Sequence, residues 1–182
     1  MAPYDIRLVG DPVLREPATE VTEIDARLVR LAGDMITTMY EAPGIGLAAP
    51  QVGVQKRMFV YDLHDDKGPH TIVNPVIRET RGEWVFEEGC LSVPGLSWEI
   101  VRPKEIHLTG LDLDGNEVSF EADELLARMF QHEVDHLDGV LFIDHLPEEL
   151  RREALASLRD QALGIVRPPV AEVAPADGGD AF

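Results

Sequence analysis

The clearest periodic pattern in the chain lies in residues 22–42, where apolar positions recur every three or four residues. This spacing puts apolar side chains on one face and is typical of an amphipathic helix. Thr22 and Asp25 are candidate caps at its start, and Pro43 with the glycines after it ends the pattern. The apolar stripe consists of Ile24, Leu28, Leu31, Met35 and Met39.

Shorter runs, rich in β-branched and aromatic residues, predict strands further along the chain. They are residues 57–63, 71–77 and 82–88. In residues 105–122, two strand-like flanks meet at Asp114-Gly115, a pair suited to the positive φ angles of a tight hairpin turn. These patterns predict a sheet of antiparallel strands.

Two more helices are predicted in the C-terminal half. The first begins at Asp123 and ends near Gly139, and the second spans residues 147–164, with acids in its first turn and a glycine as its stop. Residues 167–182 are rich in Pro, Ala, Gly and Asp, which predicts a flexible tail. We therefore expect one α+β domain over residues 1–166, with antiparallel strands packed around a central helix, the one that begins at Asp123, and followed by a C-terminal helix.

Composition limits the class of protein. The chain has 182 residues, enough for one domain with a buried core. Its formal net charge of −18 argues against general binding to DNA or to anionic lipid, because both need a basic surface. A single cysteine excludes an intrachain disulfide. No secretory signal and no run of about 20 apolar residues is present, so a cytoplasmic location is expected.

Residues 130–139 read FQHEVDHLDG and place His132 and His136 one helical turn apart, with Glu133 between them. This H-E-x-x-H spacing binds a divalent metal with two imidazoles and keeps a carboxylate for proton transfer. At about 100° per residue, the histidines continue the apolar stripe of Leu125 and Met129 and should face inward. A cation would offset the cost of an inward carboxylate, which favours a metal site over chance pairing.

Two histidines do not complete a metal site, and the spacing leaves the third ligand open. Metalloproteases often supply it downstream of the motif. Cys90, in an expected loop before a Ser-Val-Pro-Gly turn, is the alternative, because a thiolate with two imidazoles leaves one position for water. Asp135 is expected to be a solvated acid or to orient a histidine ligand. The remaining candidate ligands are His64, His70, His107, His145, Glu148 and Glu149.

Three segments stand in a specific order: GIGLAAPQVG at residues 44–53, EGCLSVPG at 88–95 and QHEVDHLDG at 131–139. Together they resemble the peptide deformylase family, and the likeness runs from the DPVLR segment to the end of the motif helix. The resemblance implies a metal-dependent amide hydrolase that removes the formyl group from the N-terminal formylmethionine of nascent peptides and releases formate.

By the same resemblance, Cys90, His132 and His136 are the metal ligands. The family typically works with Fe²⁺, while Zn²⁺, Ni²⁺ or Co²⁺ can occupy the same site. A thiolate ligand makes such a ferrous site sensitive to oxygen, because both the sulfur and the iron can oxidise.

The resemblance also implies roles for residues that are not ligands. Glu133 is similar to the family's general base and acid. Gln51 is similar to the residue whose side-chain amide, with the backbone N–H of Leu91, stabilises the tetrahedral oxyanion. Gly46 resembles a backbone contact that positions the substrate, and Arg102 resembles a residue near the peptide end of the substrate.

The substrate methionine needs an apolar pocket, for which Leu125 and Met129 are candidates, although plain core packing explains them equally well. The expected partners are N-formylmethionyl peptides and the ribosome, with no DNA and no membrane, and a monomer is expected. Association with the ribosome follows from the family's work on nascent chains.

Three other functions fit the sequence less well. GIGLAA matches a dinucleotide-binding fingerprint, but a helix and Pro43 precede it instead of a strand. A general zinc endopeptidase shares the H-E-x-x-H motif but leaves Gln51 and Cys90 unexplained. A structural metal centre normally has four protein ligands, whereas the proposed set has three with an ionisable Glu133 beside them.

Overall fold

The computed structural model describes residues 3–65 and 67–165. In these ranges the α-helices are α1 (Ala26–Glu41), α2 (Glu124–Leu137) and α3 (Glu148–Ala162). The strands are β1 (Gly46–Ala48), β2 (Met58–Tyr61), β3 (His70–Arg81), β4 (Trp84–Cys90), β5 (Val93–Arg102), β6 (Glu105–Leu111) and β7 (Glu117–Asp123). Short 3₁₀ helices span Pro12–Arg15, Ala49–Val52 and Phe142–His145.

The strands form two antiparallel groups. One is a five-stranded sheet in the order β1-β2-β3-β6-β7, and the other is a ribbon of β4 and β5. The predicted hairpin is confirmed: β6 pairs with β7, and Gly115 in the turn has φ +83°. Glycine adopts this left-handed backbone at no steric cost, which is why the chain can reverse there.

Helix α2 packs on the five-stranded sheet through an apolar face. Phe130 is fully buried, and its ring centroid lies 5.8 Å from that of Phe59 and 5.1 Å from that of Tyr61. Ile72, Ile106, Leu108 and Ala122 of the sheet and Ala127, Val134 and Leu137 of the helix belong to the same cluster. Burying one such aromatic side chain stabilises the fold by roughly 1.5–3 kcal/mol, so this face fixes the position of α2.

Helix α1 packs on the opposite face of the sheet. Asp25 caps it, as predicted, by accepting hydrogen bonds from the N–H groups of Arg27 and Leu28 at 3.0 and 2.9 Å. Met35 and Met39 are fully buried, in a cluster that also contains residues of β1 and β2. Helix α1 thereby supports β1, the strand that runs past the metal motif.

The C-terminal end of α2 is held by the N-terminal segment. Gly139 has φ +75°, and a Cβ there would lie 2.7 Å from the carbonyl oxygen of Arg15. Close by, the N–H of Ala18 donates to the carbonyl of Leu137 at 2.8 Å. Glycine at 139 is therefore needed both for the backbone conformation and for the close approach.

The predicted fold class, an α+β fold with antiparallel strands around a central helix and a C-terminal helix, is confirmed. Strands β1 and β5 were not predicted. The expected loop at Cys90 is corrected: Cys90 is the last residue of β4. Residues 93–95, expected as a turn, begin β5, where Val93 pairs with Cys90. The expected tail, residues 167–182, lies outside the described residues. Among the described helices, none has the length and apolar character to cross a membrane.

Candidate active site

Three candidate metal ligands converge where the β4–β5 ribbon meets α2. Cys90 ends β4, and His132 and His136 lie one turn apart on α2. One ligand atom from each residue can be chosen so that all lie within 4.8 Å of one another, and Cys90 Sγ is 3.2 Å from His136 Nε2. Across the described residues this is the one such group, so the alternative candidates for a third ligand, His145 and the acids of α3 among them, lie elsewhere.

The donor set fits a divalent transition metal. Thiolate and imidazole are the ligands that zinc and iron favour, whereas magnesium and calcium favour oxygen. The surroundings fit as well: Glu133 is 3% exposed, and its Oε2 has no hydrogen-bond partner among the described residues. A cation bound by Cys90, His132 and His136 would offset the cost of that buried carboxylate.

His132 is oriented by a carboxylate behind it. Its Nδ1 lies 3.0 Å from Glu88 Oε2. A carboxylate accepts, so Nδ1 carries the proton and donates, which leaves Nε2 as the lone-pair nitrogen for a metal. This carboxylate–histidine pairing is a recurring way to fix the tautomer and ring orientation of a metal ligand.

Glu88 is itself held by two buried arginines. Arg102 donates to it through Nε at 2.6 Å and Nη2 at 3.0 Å, and Arg128 donates through Nη1 at 2.7 Å. Burial by itself would raise the pKa of Glu88, but the hydrogen bonds from His132 and Arg102 hold that pKa well below its ordinary range. Glu88 therefore stays ionised and can keep accepting from His132.

The outer end of this network reaches the surface. Arg102 Nη1 donates to Asp135 Oδ2 at 2.7 Å, and His145 Nε2 lies 2.7 Å from the same oxygen. Asp135 is thus neither simply solvated nor bonded to a histidine ligand, the two roles expected for it. It connects a buried guanidinium with a partly exposed imidazole.

Glu133 faces the backbone of β1. A Cβ added to Gly46 would lie 2.9 Å from Glu133 Cδ and closer still to Oε1. Burial is the largest influence on the carboxyl and raises its pKa to about 7, although the charge of His132 acts the other way. Gly46 was expected to position the substrate, and the structure adds that its lack of a side chain makes room for this carboxylate.

Gln51 lies in the 3₁₀ helix after β1, with its amide held at both ends. Its Oε1 accepts from the Ala48 N–H at 2.8 Å, and its Nε2 lies 3.1 Å from Ser92 Oγ and 3.7 Å from Cys90 Sγ. Leu91 follows Cys90, and its side chain packs against Gly44. Both expected oxyanion donors therefore lie beside the cysteine of the ligand group.

A cavity of about 490 Å³ opens at this point. Its apolar wall includes Leu125 and Met129 of α2 and Phe86 of β4, while Arg102 is not one of its lining residues. The guanidinium of Arg102 is turned instead to Glu88 and Asp135. The cavity is also lined by Gly46, Gln51, Cys90, Leu91, His132 and Glu133.

Glu88, Arg128 and Ser92 also belong to the site, although the motif reasoning assigned them no role. For Glu88 a signal was available, because it stands two residues before Cys90 in a strand. Alternate residues of a strand share a face, so both side chains point towards α2. Arg128 stands four residues before His132 on α2, at a spacing that puts both on one side of the helix.

A thiolate and two imidazoles around one point, a buried carboxylate beside them and amide donors on the other side define a metal-dependent hydrolase site. The comparisons with known proteins specify which one. The family model described as Polypeptide deformylase matches residues 3–152. The chain belongs to the peptide deformylase family, whose members are metal-dependent enzymes that remove N-formyl groups from nascent peptides.

Individual relatives agree with this family. The chain is 50% identical to the peptide deformylase of Halothermothrix orenii over 144 residues, covering 79% of this chain and 94% of that one. It is 49% identical to that of Acidothermus cellulolyticus over 160 residues, covering 88% of each.

Solved structures show the same likeness. The structure of a peptide deformylase from Legionella pneumophila aligns with a TM-score of 0.83 and 41% identity, over 91% of this chain and 99% of that one. That of Synechococcus elongatus, in complex with actinonin, aligns with a TM-score of 0.83 and 43% identity, over 92% and 94%.

Proposed function

We propose that this chain hydrolyses the formamide at the N-terminus of formylmethionyl peptides, releasing formate and a free amino terminus. One observation carries the proposal: residues from three separate motifs meet at one cavity in a chain of this family. The cavity is lined by Gln51, Cys90, His132 and Glu133, and His136 lies with Cys90 and His132 in the ligand group.

Cys90, His132 and His136 would hold one divalent metal ion. When bound, such an ion supplies Lewis-acid polarisation and an activated water nucleophile near neutral pH. We propose Fe²⁺ as the native ion, with Zn²⁺, Ni²⁺ or Co²⁺ able to substitute, because a set of one thiolate and two imidazoles accepts all four. Glu88 keeps His132 in the tautomer that the site requires.

Glu133 moves the proton. Its buried carboxylate accepts a proton from the attacking water and passes it to the amine nitrogen as the C–N bond of the formamide breaks. Gln51 Nε2 and the Leu91 N–H donate to the oxygen that becomes negative when water adds to the formyl carbon. Together these groups supply both the proton transfer and the charge stabilisation that amide hydrolysis needs.

The methionine side chain would occupy the apolar wall of the cavity. Leu125 is 40% exposed although it lies on the inward stripe of α2, and it lines the cavity with Met129. An apolar side chain left open to a cavity favours substrate contact over plain core packing for Leu125. Gly46 would position the substrate through its backbone, and contact between Arg102 and the peptide end stays a prediction.

The proposals on cellular context rest on the family alone. A cytoplasmic location, a monomeric state and work on nascent chains at the ribosome stay predictions. In α3, Arg151 pairs with Asp144 at 3.0 Å and Arg152 with Glu148. These arginines are partly neutralised, so the helix gives little support to a docking surface for ribosomal RNA.

The test is formate release from formyl-Met-Ala-Ser, measured anaerobically with metal analysis of the same sample. We expect turnover with about one metal ion per chain, and none after the metal is removed with a chelator. Cleavage of casein without formate release would instead show a general endopeptidase. Cys90→Ser should lower metal content and turnover together, and full activity of that variant would place the third ligand elsewhere.

A further inference from the structure

Ser92 contacts both Gln51, the proposed oxyanion donor, and Cys90, a proposed metal ligand. It is fully buried, two residues after Cys90 and in the tight connection between β4 and β5. A buried hydroxyl normally has a hydrogen-bond partner. Here the partner is the side-chain amide of Gln51, at 3.1 Å from Nε2 to Oγ.

The backbone of Ser92 makes two further contacts. Its N–H donates to Cys90 Sγ at 3.4 Å, and its carbonyl accepts from the N–H of Val9 at 2.8 Å. The Val9 contact holds the connection in place from the N-terminal segment. A single residue therefore contacts the cysteine through its backbone and the glutamine through its side chain, so the two contacts can be separated by mutation.

The orientation of the Gln51 amide depends on these contacts. The N–H of Ala48 donates to Oε1, so that end of the amide must be the oxygen. The NH₂ end then faces Ser92 Oγ and Cys90 Sγ. An amide nitrogen has two N–H donors. When Ser92 accepts one of them, the direction of the other is fixed by the planarity of the group.

We propose that Ser92 is a positioning residue for the reaction: its hydroxyl accepts one Gln51 N–H and thereby aims the second at the oxyanion. The proposal rests on the proposed function, because it gives Ser92 a role through Gln51. An oxyanion donor is effective when its direction is set before the reaction begins. Gln51 is 2% exposed, so its amide relies mainly on neighbouring protein groups such as Ser92 for its orientation.

The first experiment is Ser92→Ala, which removes the hydroxyl and keeps the backbone N–H on Cys90 Sγ. We expect kcat to fall about tenfold, less than the roughly 10²–10³-fold loss for removing an oxyanion donor itself, with KM and metal content unchanged. Ser92→Cys keeps an acceptor, although a weaker one, so its kcat should lie between those of the unmodified protein and Ser92→Ala. Loss of metal together with activity would overturn the proposal.

A double-mutant cycle separates positioning from general destabilisation. If the hydroxyl acts through Gln51, Ser92→Ala should have no further effect on kcat in a Gln51→Ala background. A tenfold loss in both backgrounds would overturn the proposal. Thr38→Val is the matched control, because it removes a buried hydroxyl bonded to the Asp34 carbonyl, away from the site. It should change Tm without changing kcat.

A readout without turnover tests the contact itself. In zinc-loaded, ¹⁵N-labelled protein, the Gln51 side-chain NH₂ signals are identified by their loss in Gln51→Ala. Ser92→Ala should shift these signals and narrow the chemical-shift difference between the two amide protons, while Thr38→Val leaves the signals in place. Unchanged Gln51 signals in Ser92→Ala would overturn the proposal. Absence of formate release by the unmodified protein would instead overturn the proposed function.

Discussion

On one side of α2, Phe130 packs against Phe59 and Tyr61 of the sheet, and the contact is entirely apolar. On the other side, His132 faces Glu88 and, behind it, two buried arginines. Apolar packing is non-directional and tolerates substitutions that keep volume. A buried ionic network is directional, and removal of one member leaves the others with uncompensated charge. Helix α2 therefore has two different faces: the one with Phe130 contributes mainly to the stability of the fold, and the one with His132 contributes to the chemistry of the site.

The largest expected effect is on turnover, at Glu133 on the chemical side. Glu133→Gln keeps the shape of the side chain but removes the proton acceptor, so kcat should fall by roughly 10²–10⁴-fold. Formate release and metal content are measured on the same sample, and the metal should stay bound. Glu124→Gln, an exposed change in the first turn of α2, is the control. Substantial turnover by Glu133→Gln would remove Glu133 from its proposed role.

The next effect is on both stability and metal binding, at Glu88. Glu88→Gln is isosteric but leaves buried Arg128 without its counter-charge and Arg102 with Asp135 alone. We expect the free energy of unfolding to fall by roughly 3–5 kcal/mol and metal affinity to fall about 10–100-fold. Denaturant unfolding and metal titration measure these, with the exposed Glu99→Gln on β5 as control. A variant as stable as the unmodified protein would show that the network adds nothing.

Replacing a buried ring on the apolar face by a smaller apolar side chain should have a smaller effect, confined to stability. Phe130→Leu should lower the free energy of unfolding by roughly 1–3 kcal/mol, because part of the volume of the ring is left empty. Metal content and kcat of the folded protein should stay within about twofold, because Phe130 contacts the sheet and not the ligand group. A large loss of kcat would mean that the two faces are not independent.

The smallest expected effect is on stability, at Asp144, whose carboxylate pairs with Arg15, and it depends on pH. Burial of Asp144 opposes ionisation, but hydrogen bonds from Arg15 and from the Leu141 N–H hold its pKa below the ordinary value of 3.8. A lowered pKa stabilises the fold above the unfolded-state pKa, and this contribution is lost as pH falls through the folded-state pKa. Asp144→Asn should therefore be less stable by about 1 kcal/mol at pH 7. The difference should begin to shrink near about pH 4, the unfolded-state pKa of an Asp, and vanish once the pH is below the folded-state pKa. A difference that stays constant across this range would contradict the assignment.

How far the sequence predicts the fold depends on whether the pattern is local. The helix stripes, the Asp25 cap and the turn at Asp114-Gly115 are local, and the structure has all of them. Strands β1 and β5 are short or contain Pro94 and Gly95, so their local propensity is weak. They exist because neighbouring strands pair with them, which is not visible in a local window.

The same distinction holds at the site. The spacing of His132 and His136 predicts a shared helical face, because one turn separates them. The position of Glu88 two residues before Cys90 was a usable signal, but its partners, like the role of Arg128, arise only where β4 approaches α2. Burial of Arg102 on Glu88 likewise depends on that packing. Charged residues in a sequence look like surface residues until a tertiary contact supplies the counter-charge.

By itself, the sequence determined the helices, most strands, the H-E-x-x-H pair and, through three ordered motifs, the resemblance to the family. These depend on short-range geometry and on motif order, which a linear chain displays. Only the tertiary structure decided that Cys90 lies 3.2 Å from His136, that Gly46 makes room for Glu133, and that Ser92 Oγ lies 3.1 Å from the Gln51 amide nitrogen. Such distances are set by the packing of the ribbon, β1 and α2 against one another, and packing couples residues that are distant in the chain.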